Sequence, residues 1–260
     1  LWREAWNEER LLRAKRARGS YVWESLYMGH PTPLSGGLFK VASWWTSYTA
    51  IGDGGKTPSV IIFRTGTIAH RLRVADLTIF QTVDLASTAK TRSDWSVIQT
   101  WGIGRGGRMF LLDQVREQAE GPELIPLMWA AHRKWSSAAL FVEVVNFENL
   151  LIQEARRQGL PVRVYRPKGD KVTRALPATA KMEGGLMFFP EAAPWLDVFR
   201  AELGAFPKGK HDDQVDCISC AVAVGKSIRK HRRAVRATVG GAGGNTARRK
   251  PRRPPPRMAR

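Results

Sequence analysis

Three acidic positions in this sequence sit where acids are costly to keep. Asp84 lies near the end of the apolar run Phe80-Gln81-Thr82-Val83-Asp84-Leu85-Ala86, and Glu143 interrupts Leu140-Phe141-Val142-Glu143-Val144-Val145. His211-Asp212-Asp213-Gln214-Val215-Asp216 opens an Ala/Val/Cys-rich stretch that reads as a helix. An ionised carboxylate inside an apolar strand costs several kcal/mol unless it is paired or binds a metal. One such acid could cap a turn or a helix start, but that explanation does not cover all three. On a helix Asp212 and Asp216 share a face at i, i+4, while Asp213 lies about 100° around. An acid set without His or Cys ligands suits a hard cation, Mg²⁺ or Mn²⁺, rather than zinc. Two such ions could drive in-line displacement at a phosphodiester, and their charge would explain why repelling carboxylates are kept together.

The elements that must position these acids follow from the hydrophobic pattern. Short β-branched runs at Val60 to Phe63, Thr78 to Leu85, Ser96 to Trp101, Met109 to Leu112, Leu140 to Val145 and Val162 to Tyr165 predict strands. Helical spacing marks Glu123 to Trp135, Phe147 to Gln158, Glu191 to Leu203 and Asp212 to Ser227. Strands in succession, followed by alternating helices and strands, predict a mixed α/β fold with a partly antiparallel sheet. Residues 1–20 predict a surface helix with Gly19 as its C-cap, and the turn-rich words up to Pro58 predict a connecting region. The expected organisation is therefore a linker region at 1–58, a catalytic domain at 59–228 and a disordered basic tail at 229–260.

Charge narrows the partner. The 260 residues carry 42 Lys+Arg against 23 Asp+Glu, a net charge of +19. Twelve of those cations fall from Arg229 onward, where there is no acid, so the tail holds most of the excess. A concentrated cationic block predicts a polyanion, nucleic acid first and an anionic membrane surface second. No apolar run approaches the ~18 residues of a membrane span, and no N-terminal signal-peptide pattern is visible. The start at Leu1 rather than Met suggests a piece of something longer. Gly52-Asp53-Gly54-Gly55-Lys56-Thr57 imitates the end of a phosphate-binding loop, but Ala50 stands where G-x-x-x-x-G-K-[ST] needs glycine, and a strand follows instead of a helix. ATPase activity is therefore not expected of this chain. Cys217 and Cys220 sit on an apolar helix and read as small core residues, and most of the ten Trp as packing rather than base-stacking platforms.

The order of the acids resembles the RNase H-like nuclease fold, and the surrounding words resemble the large subunit of tailed-phage terminases. Trp23-Glu24-Ser25-Leu26-Tyr27 with Pro31-Thr32-Pro33 and Gly36-Gly37-Leu38-Phe39 is similar to the segment joining that family's ATPase and nuclease domains. Thr82-Val83-Asp84, Ser93-Asp94-Trp95-Ser96-Val97 and Leu111-Leu112-Asp113 resemble its first three nuclease strands. Glu143 with Leu150-Leu151-Ile152-Gln153, then Gly169-Asp170-Lys171-Val172 with Arg174, then Phe206-Pro207 and the His211–Asp216 cluster complete the series in order. The likeness spans roughly residues 20 to 225.

The resemblance implies an RNase H-like mixed sheet flanked by helices and a Mg²⁺- or Mn²⁺-dependent endonuclease that cuts concatemeric double-stranded viral DNA. By it, Asp84, Glu143 and Asp213 are catalytic acids binding two ions, with Asp84 shared between them and Asp212 assisting. Glu143 stands where several relatives have Asp, and Asp216 ranks as a supporting acid. Asp94 and Asp113 read as strand-end turn and cap residues. Lys171 and Arg174 resemble a DNA-facing hairpin. Implied partners are double-stranded DNA, a terminase small subunit and the portal of the procapsid, with no membrane, in the host cytoplasm during virion assembly. A resolvase or transposase shares the acid layout, and a non-catalytic basic nucleic-acid-binding protein would share the charge.

Overall fold

The two apolar runs that carry Asp84 and Glu143 become neighbouring interior strands. The computed structural model describes residues 7–29, 37–52, 57–85, 95–119, 121–144 and 149–241, the last thirteen of these as backbone alone. Among them nine strands form one mixed sheet in the order β3-β2-β1-β9-β6-β5-β4-β7-β8. The strands are β1 (Ser47–Ile51), β2 (Val60–Thr65), β3 (Ile68–Arg73), β4 (Thr78–Asp84), β5 (Ser96–Ile103), β6 (Met109–Glu117), β7 (Leu140–Glu143), β8 (Val162–Tyr165) and β9 (Met187–Pro190). The helices are α1 (Glu8–Val22), α2 (Val41–Trp44), α3 (Leu124–Trp135), α4 (Asn149–Arg157), α5 (Lys171–Glu183), α6 (Leu196–Ala205) and α7 (Asp213–Gly241).

The centre of the sheet follows from its connections. β4, β5 and β6 are successive antiparallel neighbours. The chain then returns through α3 to lay β7 parallel beside β4, and through α4 to lay β8 parallel beside β7. The two-residue side-chain period sorts these strands between two layers. Phe80 and Phe141 pack with Ala175 and Ala178 of α5, Phe199 of α6 and Ile218 of α7. Val83, Leu140 and Val142 face the other way, onto Ile125 and Met128 of α3 and Ile152 of α4. Asp84, four residues after Phe80, and Glu143, two after Phe141, therefore belong to the face covered by α5 and α7. The register Thr82↔Phe141 and Val83↔Val142, carried one residue further, sets Asp84 beside Glu143 at the C-terminal edge of both strands.

The sheet is wider than the pattern predicts. Residues 47–51, expected in a connecting region, form β1, which pairs antiparallel with β2 and parallel with β9. Tyr48 is buried, and its hydroxyl donates to the Leu111 carbonyl at 2.8 Å, so β1 is tied to the core of the domain. The Gly37-Leu38-Phe39 word is likewise packed: Leu38 and Phe39 are buried and Leu38 N–H donates to the Phe206 carbonyl at 2.9 Å. Gly37, with φ +82°, lies so close to Gly204 that a Cβ would meet the Gly204 carbonyl oxygen at 2.4 Å, so no other residue fits there.

At Gly19 the expected helix end is a bend. Its φ of +80° kinks α1, which continues to Val22, and its missing side chain lets α1 lie against Ala180 of α5. The segment bearing Lys171 and Arg174, expected to resemble a hairpin, instead opens helix α5 (Lys171–Glu183). Asp170 caps it, accepting from Thr173 N–H at 2.9 Å, and Pro177 is accommodated within it. Helix α7 extends to Gly241, and the Gly/Pro/Arg-rich stretch beyond lies outside the described residues, as do Asp94, Lys56, Trp2 and Trp6. Among the described residues no helix is long and apolar enough to cross a membrane.

Candidate active site

The edge of the sheet gathers the acids singled out in the sequence. Asp84 ends β4, Glu143 ends β7, and Asp213 and Asp216 occupy the first turn of α7, which packs over β4 and β5. Glu143 and Asp216 are each only 6% exposed, whereas Asp84, Asp212 and Asp213 are partly open to solvent. Two carboxylate oxygens in this group, Glu143 Oε2 and Asp213 Oδ2, are buried without a hydrogen-bond partner. An acceptor stranded in that way is expensive unless a cation meets it.

The electrostatics describe a crowded acid cluster. Asp84 is held well above the ordinary carboxylate range by burial and then by the charges of Asp216, Glu143 and Asp213, with Lys171 pulling it back. Burial also raises Glu143, against the hydrogen bond from Arg174. Asp213 is pushed up to about 6 by burial and by the neighbouring Glu202 and Asp212. Asp216 is raised chiefly by burial, opposed by Lys171 and Arg174.

Lys171 and Arg174 lie in the first turn of α5, not on a hairpin, and their side chains contact the acids. Lys171 Nζ meets Asp212 Oδ1 and Oδ2 at 2.7 and 2.6 Å and Asp216 Oδ2 at 3.3 Å. Arg174 forks between Glu143 Oε1 at 2.6 Å and Asp216 Oδ1 at 3.0 Å. Asp216, ranked as a supporting acid from the sequence, is thus the point where both cations converge. Asp113 stays away from this cluster, accepting from Lys134 and from the Trp135 indole.

A set of buried amides, not singled out in the sequence, fixes the start of α7. Gln214 N–H donates to Glu202 Oε1 at 2.7 Å, so a carboxylate from α6 satisfies a backbone donor at the α7 N-terminus. Gln114 donates to Gln214 Oε1 at 2.6 Å, and Gln99 donates to the Gln214 carbonyl at 3.1 Å and to Gln114 Oε1 at 2.9 Å. Gln214 and Gln99 are fully buried, so these bonds lock the helix turn bearing Asp213 to β5 and β6. Cys217 and Cys220 are buried free thiols in the adjoining turn, as their apolar surroundings predict.

The donor set fits a divalent cation. It offers hard oxygen ligands, two of them buried and unpartnered, on elements whose geometry the amide network fixes. Among the described residues no three His, Cys, Asp or Glu side chains form a ready-made metal cage; Asp212, Asp216 and Glu143 are instead paired with Lys171 and Arg174.

The raised acids have a consequence for stability. A carboxyl whose folded pKa lies above its unfolded value binds its proton more tightly in the folded state, so stability falls as pH rises from about 4 through about 6. With EDTA present, the unfolding midpoint is expected to be higher at about pH 5 than at about pH 7.5. Asp213→Asn should flatten this dependence, and a slope identical to the native protein would show that Asp213 titrates unperturbed.

Comparison with known proteins agrees with the layout. The terminase RNaseH-like domain family matches residues 81–223, more than half of the chain. The large terminase nuclease of thermophilic phage G20c with bound zinc superposes with a TM-score of 0.51 at 16% identity, over 71% of this chain and 96% of that one. Its magnesium-bound structure gives 0.51 at 15% identity, over 74% and 98%. The large terminase of a second thermophilic bacteriophage gives 0.54 at 10% identity, over 84% of this chain but 52% of that longer one. No curated protein matches. The sheet order, the placement of the acids and the family match together assign the chain to the terminase RNase H-like domain family, with the fold of the large-terminase nucleases.

Proposed function

We propose that this domain is a Mg²⁺- or Mn²⁺-dependent endonuclease that cuts concatemeric double-stranded viral DNA during genome packaging, as part of a terminase large subunit. The observation that carries the reading is the meeting of Asp84, Glu143 and Asp213 at one sheet edge with two carboxylate oxygens buried and unpartnered. Asp84, Glu143 and Asp213, with Asp212 at the rim, would hold two divalent ions. Ions held there would supply charge that activates a water and stabilises the leaving oxygen of a phosphodiester. The chain's own part is to hold the acids in place: β4 and β7 present two of them, and the Glu202–Gln214 contact fixes the helix turn that presents the others. Binding of zinc and magnesium by the G20c nuclease supports a divalent site in this fold.

The net charge of +19 supports DNA as the substrate, and contacts made mainly to phosphates would give little sequence preference. A terminase small subunit and the portal of the procapsid would be its assembly partners in the host cytoplasm. With Ala50 in place of the glycine that a phosphate-binding loop requires, the chain would cut without hydrolysing ATP. Incubated with supercoiled plasmid, the purified protein is expected to yield nicked and linear DNA in Mg²⁺ or Mn²⁺ and none in EDTA. Binding of the plasmid without cutting in either metal would favour a basic nucleic-acid-binding protein instead.

A further inference from the structure

The two cations of α5 are embedded to different depths, and this difference separates their roles. The Arg174 side chain is 9% exposed and its two partners are 6% and 8% exposed, so its fork is sealed into the domain. The Lys171 side chain is 51% exposed and reaches the acids from the solvent side. Its single ammonium spans both oxygens of Asp212 and one oxygen of Asp216. Arg174 leaves Glu143 Oε2 unpartnered, whereas Lys171 engages both oxygens of Asp212.

Resting on the divalent-ion reading above, we infer that Lys171 is an exchangeable counter-cation: its ammonium and a divalent ion compete for Asp212, while Arg174 stays as the fixed clamp on Glu143 and Asp216. An ammonium held by short contacts to two carboxylate oxygens claims the same lone pairs that a metal ligand must offer, so both cannot hold Asp212 fully at once. The exchange is feasible because the lysine is a flexible point charge whose head is already in contact with water, unlike the buried planar guanidinium. Once displaced, the ammonium remains on the first turn of α5 at the mouth of the acid cluster, where a DNA phosphate would be its next partner. Metal loading and DNA affinity are thereby coupled through one side chain.

The test titrates Mn²⁺ into metal-stripped protein and follows the loss of the free-ion EPR signal, without relying on cleavage. Lys171→Met is expected to lower the half-saturating Mn²⁺ by about tenfold, because the ion no longer displaces a charge-assisted contact. In native protein Mn²⁺ should also tighten binding of a short DNA duplex, and in Lys171→Met that increment should shrink. Lys171→Gln serves as a second variant with a shorter, polar, uncharged head, and it should shift Mn²⁺ affinity in the same direction. A lysine that merely supported the fold would weaken metal binding when removed. Unchanged or weaker Mn²⁺ binding in both variants therefore overturns the exchange. Asp84→Asn separates the two readings: if it binds Mn²⁺ like the native protein, the metal site itself is misplaced. If it loses Mn²⁺ while the lysine variants fail to gain affinity, only the exchange is wrong.

Discussion

Asp84→Asn is expected to lower metal-dependent plasmid cleavage by at least about 10³-fold while leaving the metal-free fold as stable as before or more so. The two effects have one cause. Asp84 sits at the end of an interior strand with Asp216, Glu143 and Asp213 around it, and their repulsion together with burial holds its carboxyl far above the ordinary range. Such a group burdens the metal-free fold when ionised, so a neutral amide of the same shape removes a repulsion. On the proposed function divalent ions would reverse the sign, because the same crowding would attract them, and losing Asp84 as a ligand would remove several kcal/mol of transition-state stabilisation. Thermal unfolding with and without Mg²⁺ reads the first effect: native protein should gain in midpoint with metal, and the variant should not. Gel electrophoresis of plasmid in Mn²⁺ reads the second. A variant that cuts at the native rate would remove Asp84 from the site.

The acids were legible in the sequence because each contradicts its surroundings. Asp84 and Glu143 interrupt apolar runs, and a charge in such a place needs a stated reason. What the sequence hid was the machinery that holds them. Glu202 lies in Arg200-Ala201-Glu202-Leu203, a pattern that suits any surface helix, yet it is 8% exposed and satisfies the backbone at the start of α7. Gln99, Gln114 and Gln214 carry no charge to draw attention, and only the sheet brings them to one point. A signal was present for Gln99, which falls between the inward positions Val97 and Trp101 on β5.

The elements missed have similar physical reasons. β9 spans only four residues, Met187–Pro190, soon after Gly184-Gly185 and ending on a proline, too short for a periodic pattern. β3 reads Ile-Ala-His-Arg-Leu-Arg, with its charges on an exposed edge strand, a composition that protects an edge but resembles a loop. α5 was obscured by Pro177, although Asp170 is an N-cap residue, a helix-start signal that the Gly169 turn disguised. That omission hid the geometry of the acid cluster, since the helix brings Lys171 and Arg174 onto the acids.

The inward arginine sets the other large expectation, that Arg174→Met costs the metal-free fold about 3 kcal/mol near neutral pH. Methionine replaces much of the aliphatic stem, so the loss is dominated by charge: Glu143 and Asp216, both nearly sealed from solvent, would face each other without the guanidinium that joins them. For a domain of this size the deficit corresponds to a midpoint lowered by roughly 6–12 °C. Its pH dependence distinguishes it from a packing defect. Both carboxyls are already raised in the native protein, and without Arg174 they rise further, so acidification through those pKa values protonates them and the deficit shrinks. Added Mg²⁺ should shrink it too, by supplying the missing positive charge. Arg174→Lys should recover part of the stability at best, since one ammonium cannot reproduce a fork to two carboxylates. Urea unfolding at about pH 5 and about pH 7.5, with and without Mg²⁺, measures all of this. A deficit that stays constant across those conditions would show that Arg174 acts through packing alone and that the acids need no internal clamp.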